Sequence, residues 1–286
     1  MMQIIVNGII SGAIIALPAI AFTLMFSILK FANFAIGAYV TVGAFSILFF
    51  EQVVGMPLWF AVVPGMAVTA FVAWLSDYLV FKPLRQRSSI TLLIVSIAVA
   101  FILENIIRFI AGNDIRGFDV PLTRPIKFAG LRATPEQMQL VAISLIAMLI
   151  IFAMLKYTSL GKAMRATADN FTLAEVRGIN TSRIILFTWL IGGALAGLAR
   201  LLAGLDLVIE PLVGWNLTIP ILAAAILGGI GSPVGALVGA IVIGLAEEFT
   251  AHLFNPAYKV GVGFVVIAVL LLVRPQGLFG QPEIKK

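Results

Sequence analysis

The chain has no cysteine and a single histidine, His252. The first absence excludes disulfides, thiolate metal sites, iron–sulfur clusters and cysteine nucleophiles. The second leaves neither a histidine metal cluster nor a Ser-His-Asp arrangement to build. No G-x-x-x-x-G-K-S/T phosphate loop occurs, so any work driven by ATP needs an engine on another chain. Charge is scarce as well: 11% of the residues are Asp, Glu, Lys or Arg, where a soluble domain uses ~25% to cover its surface. No lysine or arginine precedes Lys30, so the basic n-region of a cleavable signal peptide is missing and the first apolar run is expected to stay in the protein.

What fills the chain is aliphatic: 61% of its 286 residues are hydrophobic, and mean hydropathy is +1.11. A soluble core stops growing near ~250–300 residues, and the surplus apolar surface would aggregate in water. Lipid is the solvent that accommodates it. The expected fold is all-α, a polytopic integral membrane helix bundle of about 8–9 transmembrane segments forming one domain over 1–286. Nine apolar runs are candidates, over residues 4–29, 34–50, 58–81, 90–111, 138–156, 184–205, 212–230, 234–250 and 259–273. The seventh and eighth are joined by Gly228-Gly229-Ile230-Gly231-Ser232-Pro233, which reads either as a tight surface turn or as a re-entrant break.

Lysine and arginine in short loops mark the cytoplasmic side. Lys82, Arg85 and Arg87 mark one such loop; Lys156, Lys162, Arg165, Arg177 and Arg183 mark a second; Arg274, Lys285 and Lys286 put the C-terminus with them. Counting back places the N-terminus outside, in the periplasm. The 112–137 segment falls outside too, although Arg116, Arg124, Lys127 and Arg132 are only partly offset by Asp114, Asp119 and Glu136. Net charge is +6, but the basic residues are scattered among apolar spans instead of forming a face, so nucleic acid is not an expected partner. Membrane lipid is.

The most informative stretch is the hydrophilic interlude 157–183, which carries helix punctuation. Thr158 or Ser159 can cap a short helix through Ala168, and Asn170 can cap a second over Phe171 to Arg177. Gly178 suits a left-handed position after it, and Asn180 or Thr181 caps the next span. Two short helices presenting Leu160, Ala163, Met164, Leu173 and Val176 want a partner surface, either another protein or the membrane interface. Small residues at four-residue spacing, Gly8 and Gly12, Gly193 and Gly197, and Gly231, Gly235 and Gly239, favour close helix packing. Pro18 and Pro220 each remove a backbone donor inside an apolar run, leaving a kink or an unwound turn.

Ionisable residues inside spans are functional candidates until a cheaper account appears. Glu104 and Arg108 are four apart and can pair, Asp77 lies about a turn from Lys82, and Arg200, Glu247 and Glu248 fall near span ends. No mid-membrane proton relay is visible. Neutral polar residues remain as a possible translocation pathway: Thr23, Ser27, Asn33, Thr41, Ser96, Asn105 and Thr188. Each can equally bond a carbonyl in its own helix.

Taken together, the residues resemble the permease subunits of branched-chain amino acid ABC transporters, the LivH type. The resemblance spans nearly the whole chain. It rests on Asn7-Gly8 with Gly12, Asn33-Phe34-Ala35-x-Gly37 with Gly43-Ala44, and above all Leu160-Gly161-Lys162-Ala163-Met164-Arg165-Ala166-Thr167-Ala168-Asp169-Asn170. Ala174, Gly178-Ile179-Asn180, Gly192-Gly193-Ala194-Leu195-Ala196-Gly197 and Leu227-Gly228-Gly229-Ile230-Gly231-Ser232 follow in order. The resemblance implies a heterodimer with a second related permease subunit, two cytoplasmic ATPase subunits and a periplasmic substrate-binding protein, in a bacterial inner membrane. It implies no cofactor in this chain, ATP being used by the partner subunits, and no enzymatic activity of its own. The interlude would be the ATPase-coupling segment, with Ala166, Asp169, Asn170, Ala174 and Gly178 carried over to that role. One departure stands out: family members often have histidine after Asn-Phe-Ala and an acidic residue two places later, where this chain has Ile36 and Ala38.

The expected function is import of branched-chain or similar small amino acids by alternating access, with urea or short amides as other substrates of related permeases. The alternative is a secondary transporter driven by an ion gradient, which usually shows broken helices around a midplane site. An intramembrane enzyme would need a carboxylate pair at one depth. Asp77 and Glu104, its only candidates, fall toward opposite ends of adjacent spans.

Overall fold

The computed structural model describes residues 1–114, 116–118, 126–128, 131–206, 212–274 and 276–280. Asp119, Arg124, Lys285 and Lys286 lie outside the described residues, as do the side chains of Lys127, Arg132 and Arg200. The helices are α1 (Met2–Leu29), α2 (Ile36–Leu48), α3 (Leu58–Ser76), α4 (Lys82–Leu84), α5 (Ser89–Ala111), α6 (Pro135–Tyr157), α7 (Ser159–Asp169), α8 (Phe171–Val176), α9 (Thr181–Asp206), α10 (Val213–Gly228), α11 (Pro233–Leu253) and α12 (Lys259–Val273). Wider π turns at Phe49–Val53 and Asp77–Phe81 extend α2 and join α3 to α4.

All nine expected apolar runs are helical. Among the described residues seven helices are long and apolar enough to cross a bilayer, and two stretches, Gly214–Gly228 and Gly261–Val273, are apolar but shorter. The all-α expectation holds, and the 112–137 connection adds one local feature to it. That connection contains a small antiparallel hairpin, Ile126–Phe128 paired with Leu131–Ala133, possible because strand pairing satisfies backbone groups outside the helical layer.

Helix α1 is the axis. It is apolar on every side, as a helix surrounded by protein must be, and Ala16, Leu17, Ala19, Ile20, Ala21 and Met25 are fully buried. Pro18 sits in it without interrupting the helix, and Pro220 likewise in α10; the unwound turn does not occur at either site. Glycines set the closest approaches. A Cβ on Gly12 would meet the backbone of Ala240 and Ile241 in α11, and one on Gly193 the backbone of Ala70 in α3. Gly235 and Gly239 face Gly228 and Ala224 of α10 in the same way. The small-residue spacing is therefore packing, with one exception: Gly231 belongs to the α10–α11 turn at φ 96°, where a Cβ would meet only Ser27, at 4.0 Å.

The 228–233 segment is a tight turn, exposed at Ile230 and Gly231 and buried at Gly228 and Gly229. Gly229 and Gly231 hold positive φ, Ser232 N–H bonds Gly229 O at 3.1 Å, and the Ser232 hydroxyl caps α11 by accepting from Gly235 N at 3.1 Å. The tail after α12 returns to it, Leu278 and Phe279 donating N–H bonds to the last carbonyls of α10, Leu227 and Gly228, at 2.8 and 3.0 Å.

Two helices begin inside the bundle. After α1 stops at Lys30 (φ 59°), the chain turns back inward, and Phe31, Asn33 and Ala35 are all buried before α2 starts. The first turn of α2 crosses the first turn of α10, where Gly37 and Gly214 touch backbone to backbone and Gly214 N–H donates to Thr41 Oγ1 at 3.1 Å. Ser96 and Trp189, which contact residues 34 and 39, sit about two turns inside α5 and α9, so this crossing lies on the order of 10 Å within the bundle.

Candidate functional site

The 157–183 segment is a pair of short helices held at fixed angles by three capping devices. Thr158 ends α6 and starts α7 at once: its hydroxyl donates to Met154 O at 2.6 Å and accepts from Gly161 N at 3.0 Å. Gly161 makes the corner possible, since a Cβ there would run into the carbonyls of Met154 and Leu155. Asn170 is the hinge between α7 and α8, its backbone extended and its Oδ1 accepting from Leu173 N at 2.9 Å. Helix α8 then ends in a full Schellman motif. Gly178 at φ 81° donates to Glu175 O at 2.9 Å, and Ile179 donates to Ala174 O at 3.0 Å. Asn180 caps α9 through Arg183 N at 3.0 Å, and Thr181 Oγ1 donates to Glu175 Oε1 at 2.7 Å.

The expectation that five apolar residues here need a partner is only partly met. Met164 is buried, and Leu160 and Ala163 pack against the main core, so the apolar face of α7 is covered by the protein itself. Leu173 and Val176 on α8 are not, at 53% and 79% exposure, with Phe171 beside them at 39%. Ala166, Asp169, Asn170 and Gly178 are exposed as well, while Ala174 is 3% exposed and roots α8 on the bundle. One tie leaves no trace in the sequence: Lys30, at the end of α1, reaches across to Ala168 O at 2.7 Å, placing a cation on the C-terminal carbonyls of α7.

Six of the seven neutral pathway candidates are engaged with backbone groups. Ser27, Thr188 and Asn105 bond carbonyls of their own helices, Leu24, Ile184 and Phe101, at 2.9, 2.8 and 2.7 Å. Asn105 is moreover exposed. Asn33 and Ser96 brace the buried return of the chain: Asn33 Oδ1 accepts from Ala35 N at 3.1 Å, and Ser96 Oγ accepts from Phe34 N at 2.9 Å. Thr41 holds the start of α10 through Gly214 N. Of the seven, only Thr23 has a buried hydroxyl with no partner among the described residues.

Among the described ionisable residues within spans, Glu104, Asp77 and Glu248 are paired, though not always as expected. Glu104 and Arg108 meet at 3.0 Å. Asp77 finds Arg85 instead of Lys82: one guanidinium nitrogen donates to both carboxylate oxygens at 2.7 and 2.9 Å. Lys82 lies over the Tyr78 ring, 5.2 Å from its centroid. Near the opposite end, Lys259 pairs with Glu248, a contact across two helices for which sequence spacing offers no reason. Among the described residues no group of three or more His, Asp or Glu side chains is placed to hold a metal.

The model of a family described as the permease component of branched-chain amino acid transport systems matches residues 4–273. The chain belongs to that family. Among curated relatives, the permease is 32% identical over 305 residues to the high-affinity branched-chain amino acid transport system permease protein LivH of Escherichia coli K12, covering 100% of this chain and 97% of the relative. It is 32% identical over 301 residues to the corresponding permease protein BraD of Pseudomonas aeruginosa, again over 100% and 97% of the two chains. It is 30% identical over 293 residues to a probable branched-chain amino acid transport permease protein LivH of Methanocaldococcus jannaschii, over 97% of this chain and 92% of the relative. No solved structure matches the chain.

Proposed function

We propose that this permease is the membrane-spanning subunit of an ATP-binding cassette importer that carries branched-chain or similar small amino acids inward. It would work with a second related permease, two ATPase subunits and a substrate-binding protein. In this reading the basic end, with Lys30, Arg85, Lys156 and Arg177, faces the cytoplasm, Met1 lies in the periplasm of a bacterial inner membrane, and residues 1–286 act as one permease domain. The chain holds no cofactor and catalyses no reaction; ATP is bound and hydrolysed by the partner subunits.

The observation that carries the proposal is the pair α7–α8. It is capped at every joint, rooted by Ala174, tied to α1 through Lys30, and exposes Leu173 and Val176 at the basic end. A rigid pair with an apolar tip transmits force from a docked partner, whereas a loose loop absorbs it. Ala166, Asp169, Asn170 and Gly178 are assigned to that contact, with the buried Ala174 holding α8 in place beneath it. ATP acts by favouring one arrangement of the ATPases, which shifts the permease between inward-open and outward-open states through this pair. The ion-gradient alternative draws less support, because the crossing of α2 and α10 brings together glycines and threonines with no carboxylate among the described residues.

The test is uptake and ATP hydrolysis measured together in proteoliposomes holding the whole complex. Gly178→Val strains the left-handed position that ends α8, and the expected result is hydrolysis that continues while uptake falls. Uptake and hydrolysis coupled as in the unaltered complex would place the ATPase contact elsewhere.

A further inference from the structure

A cavity of about 450 Å³ opens at the basic end, between the C-terminus of α1, the α3–α4 junction, α5 and the start of α8. Its polar lining is Lys30, Lys82, Arg85, Gln86 and Asp77; the rest is apolar, with Phe31, Phe81 and Phe171 among it. Three cations thus face one carboxylate. That carboxylate is already engaged, and by one guanidinium nitrogen only, so the remaining N–H groups of Arg85 have no partner among the described residues. Lys30 uses its bond to Ala168 O, and Lys82 rests over the Tyr78 ring. Most of their donor capacity is open. A guanidinium fork beside two ammonium groups is matched by a tetrahedral oxyanion such as phosphate.

The outer surface beside the cavity says where that phosphate comes from. Phe71 and Trp74 of α3 and Tyr78 of the π turn after it follow one another in ring contact, at centroid distances of 5.5 and 5.8 Å, and end at Lys82. Phe71 and Tyr78 are exposed, as are Leu79, Ile90 and Ile94 nearby. Aromatic side chains ending in a tyrosine and a lysine are how a span marks the level of lipid headgroups, and the exposed Phe71 and Ile94, a turn or more further into their spans than Tyr78 and Ile90, offer a surface to acyl chains. The geometry points to a binding site for an anionic phospholipid, its phosphate held by Lys30, Lys82 and Arg85 and its chains lying along α3 and α5. Basic pockets between spans at the cytoplasmic surface suit such headgroups. Placing this end at the cytoplasmic leaflet rests on the orientation given above; the cavity and its charge do not. Because Lys30 also ties α1 to α7 and Phe171 begins α8, the lipid would sit under the coupling pair.

The full-length chain is placed in nanodiscs of phosphatidylcholine with a minor fraction of phosphatidylglycerol, and the lipids it retains are counted by native mass spectrometry. Phosphatidylglycerol is expected to be retained selectively. Lys30→Gln or Lys82→Gln should weaken retention about fivefold and the double variant about thirtyfold. The Lys30→Arg, Lys82→Arg double variant should keep it, as should Lys162→Gln on the exposed side of α7. Unselective retention, or a double Gln variant that elutes as a folded monomer and retains phosphatidylglycerol fully, overturns the proposal. Displacement of the lipid by added inorganic phosphate overturns the lipid assignment in favour of a free-phosphate site. No ATPase takes part, so the outcome is independent of whether α7–α8 couples to one.

Discussion

Two connections at the basic end of this permease make an instructive contrast. Residues 30–35 join α1 to α2, and residues 157–183 join α6 to α9. Each turns on an asparagine, Asn33 in the first and Asn170 in the second, and each asparagine accepts a backbone N–H two or three residues ahead. Their surroundings are opposite. Asn33 is 1% exposed and serves a stretch of chain that has left its helix while still inside the bundle. Asn170 is exposed and holds two helices apart. A buried connector has no water to satisfy its backbone, so its polar side chains are spent on its own N–H groups. An exposed connector uses its caps to fix a shape, and its outer side chains stay free for a partner.

The contrast can be broken at its tightest point first. Gly37→Val inserts side-chain atoms where the backbone of Gly214 already lies, and overpacking of that kind costs ~1–3 kcal/mol or more. The expected outcome is a large drop in the detergent melting temperature or loss of monodisperse protein. Asn33→Ala should come next: it leaves a buried N–H without its acceptor, about 1–3 kcal/mol, seen as a lower melting temperature with uptake per folded molecule retained. A variant of normal stability that cannot transport would instead return Asn33 to the pathway.

Asn170→Ala should show the reverse pattern. It removes an exposed cap worth ~1 kcal/mol, so the melting temperature should barely move while ATP hydrolysis and uptake become uncoupled. The smallest effect on stability belongs to Leu173→Ser with Val176→Ser, because those side chains touch solvent. The double variant should melt within about 0.5 kcal/mol of the parent yet recover less ATPase on co-purification. Full recovery would remove α8 from the docking surface.

Much of the second connector is legible in the amino-acid sequence. Thr158, Asn170, Gly178 and Asn180 act where local capping chemistry places them, because a cap depends on residues three or four positions away. The nine apolar runs are legible for a similar reason, length and composition being properties of contiguous chain. The first connector is not. Nothing in Phe31 to Ala35 says that the chain turns inward, since the partner that permits it, Ser96, is on another helix. Sequence spacing offers Asp77 the nearby cation Lys82, and the bend that brings Arg85 back to it is visible only in three dimensions. The apolar face of α7 reads as open because the sequence does not show what lies across from Met164.

By itself, then, the sequence determined that this is a lipid-solvated helical bundle with a capped, amphipathic pair of short helices at its basic end. Those conclusions follow from hydropathy and local hydrogen bonding, which neighbours along the chain settle among themselves. Tertiary structure decided which polar groups are spent and which are free: the burial of Asn33 and Ser96, the crossing of α2 and α10 through Gly37 and Gly214, and the exposure of Leu173 and Val176. Burial depends on atoms brought close from distant parts of the chain, and no local pattern encodes which of them will meet.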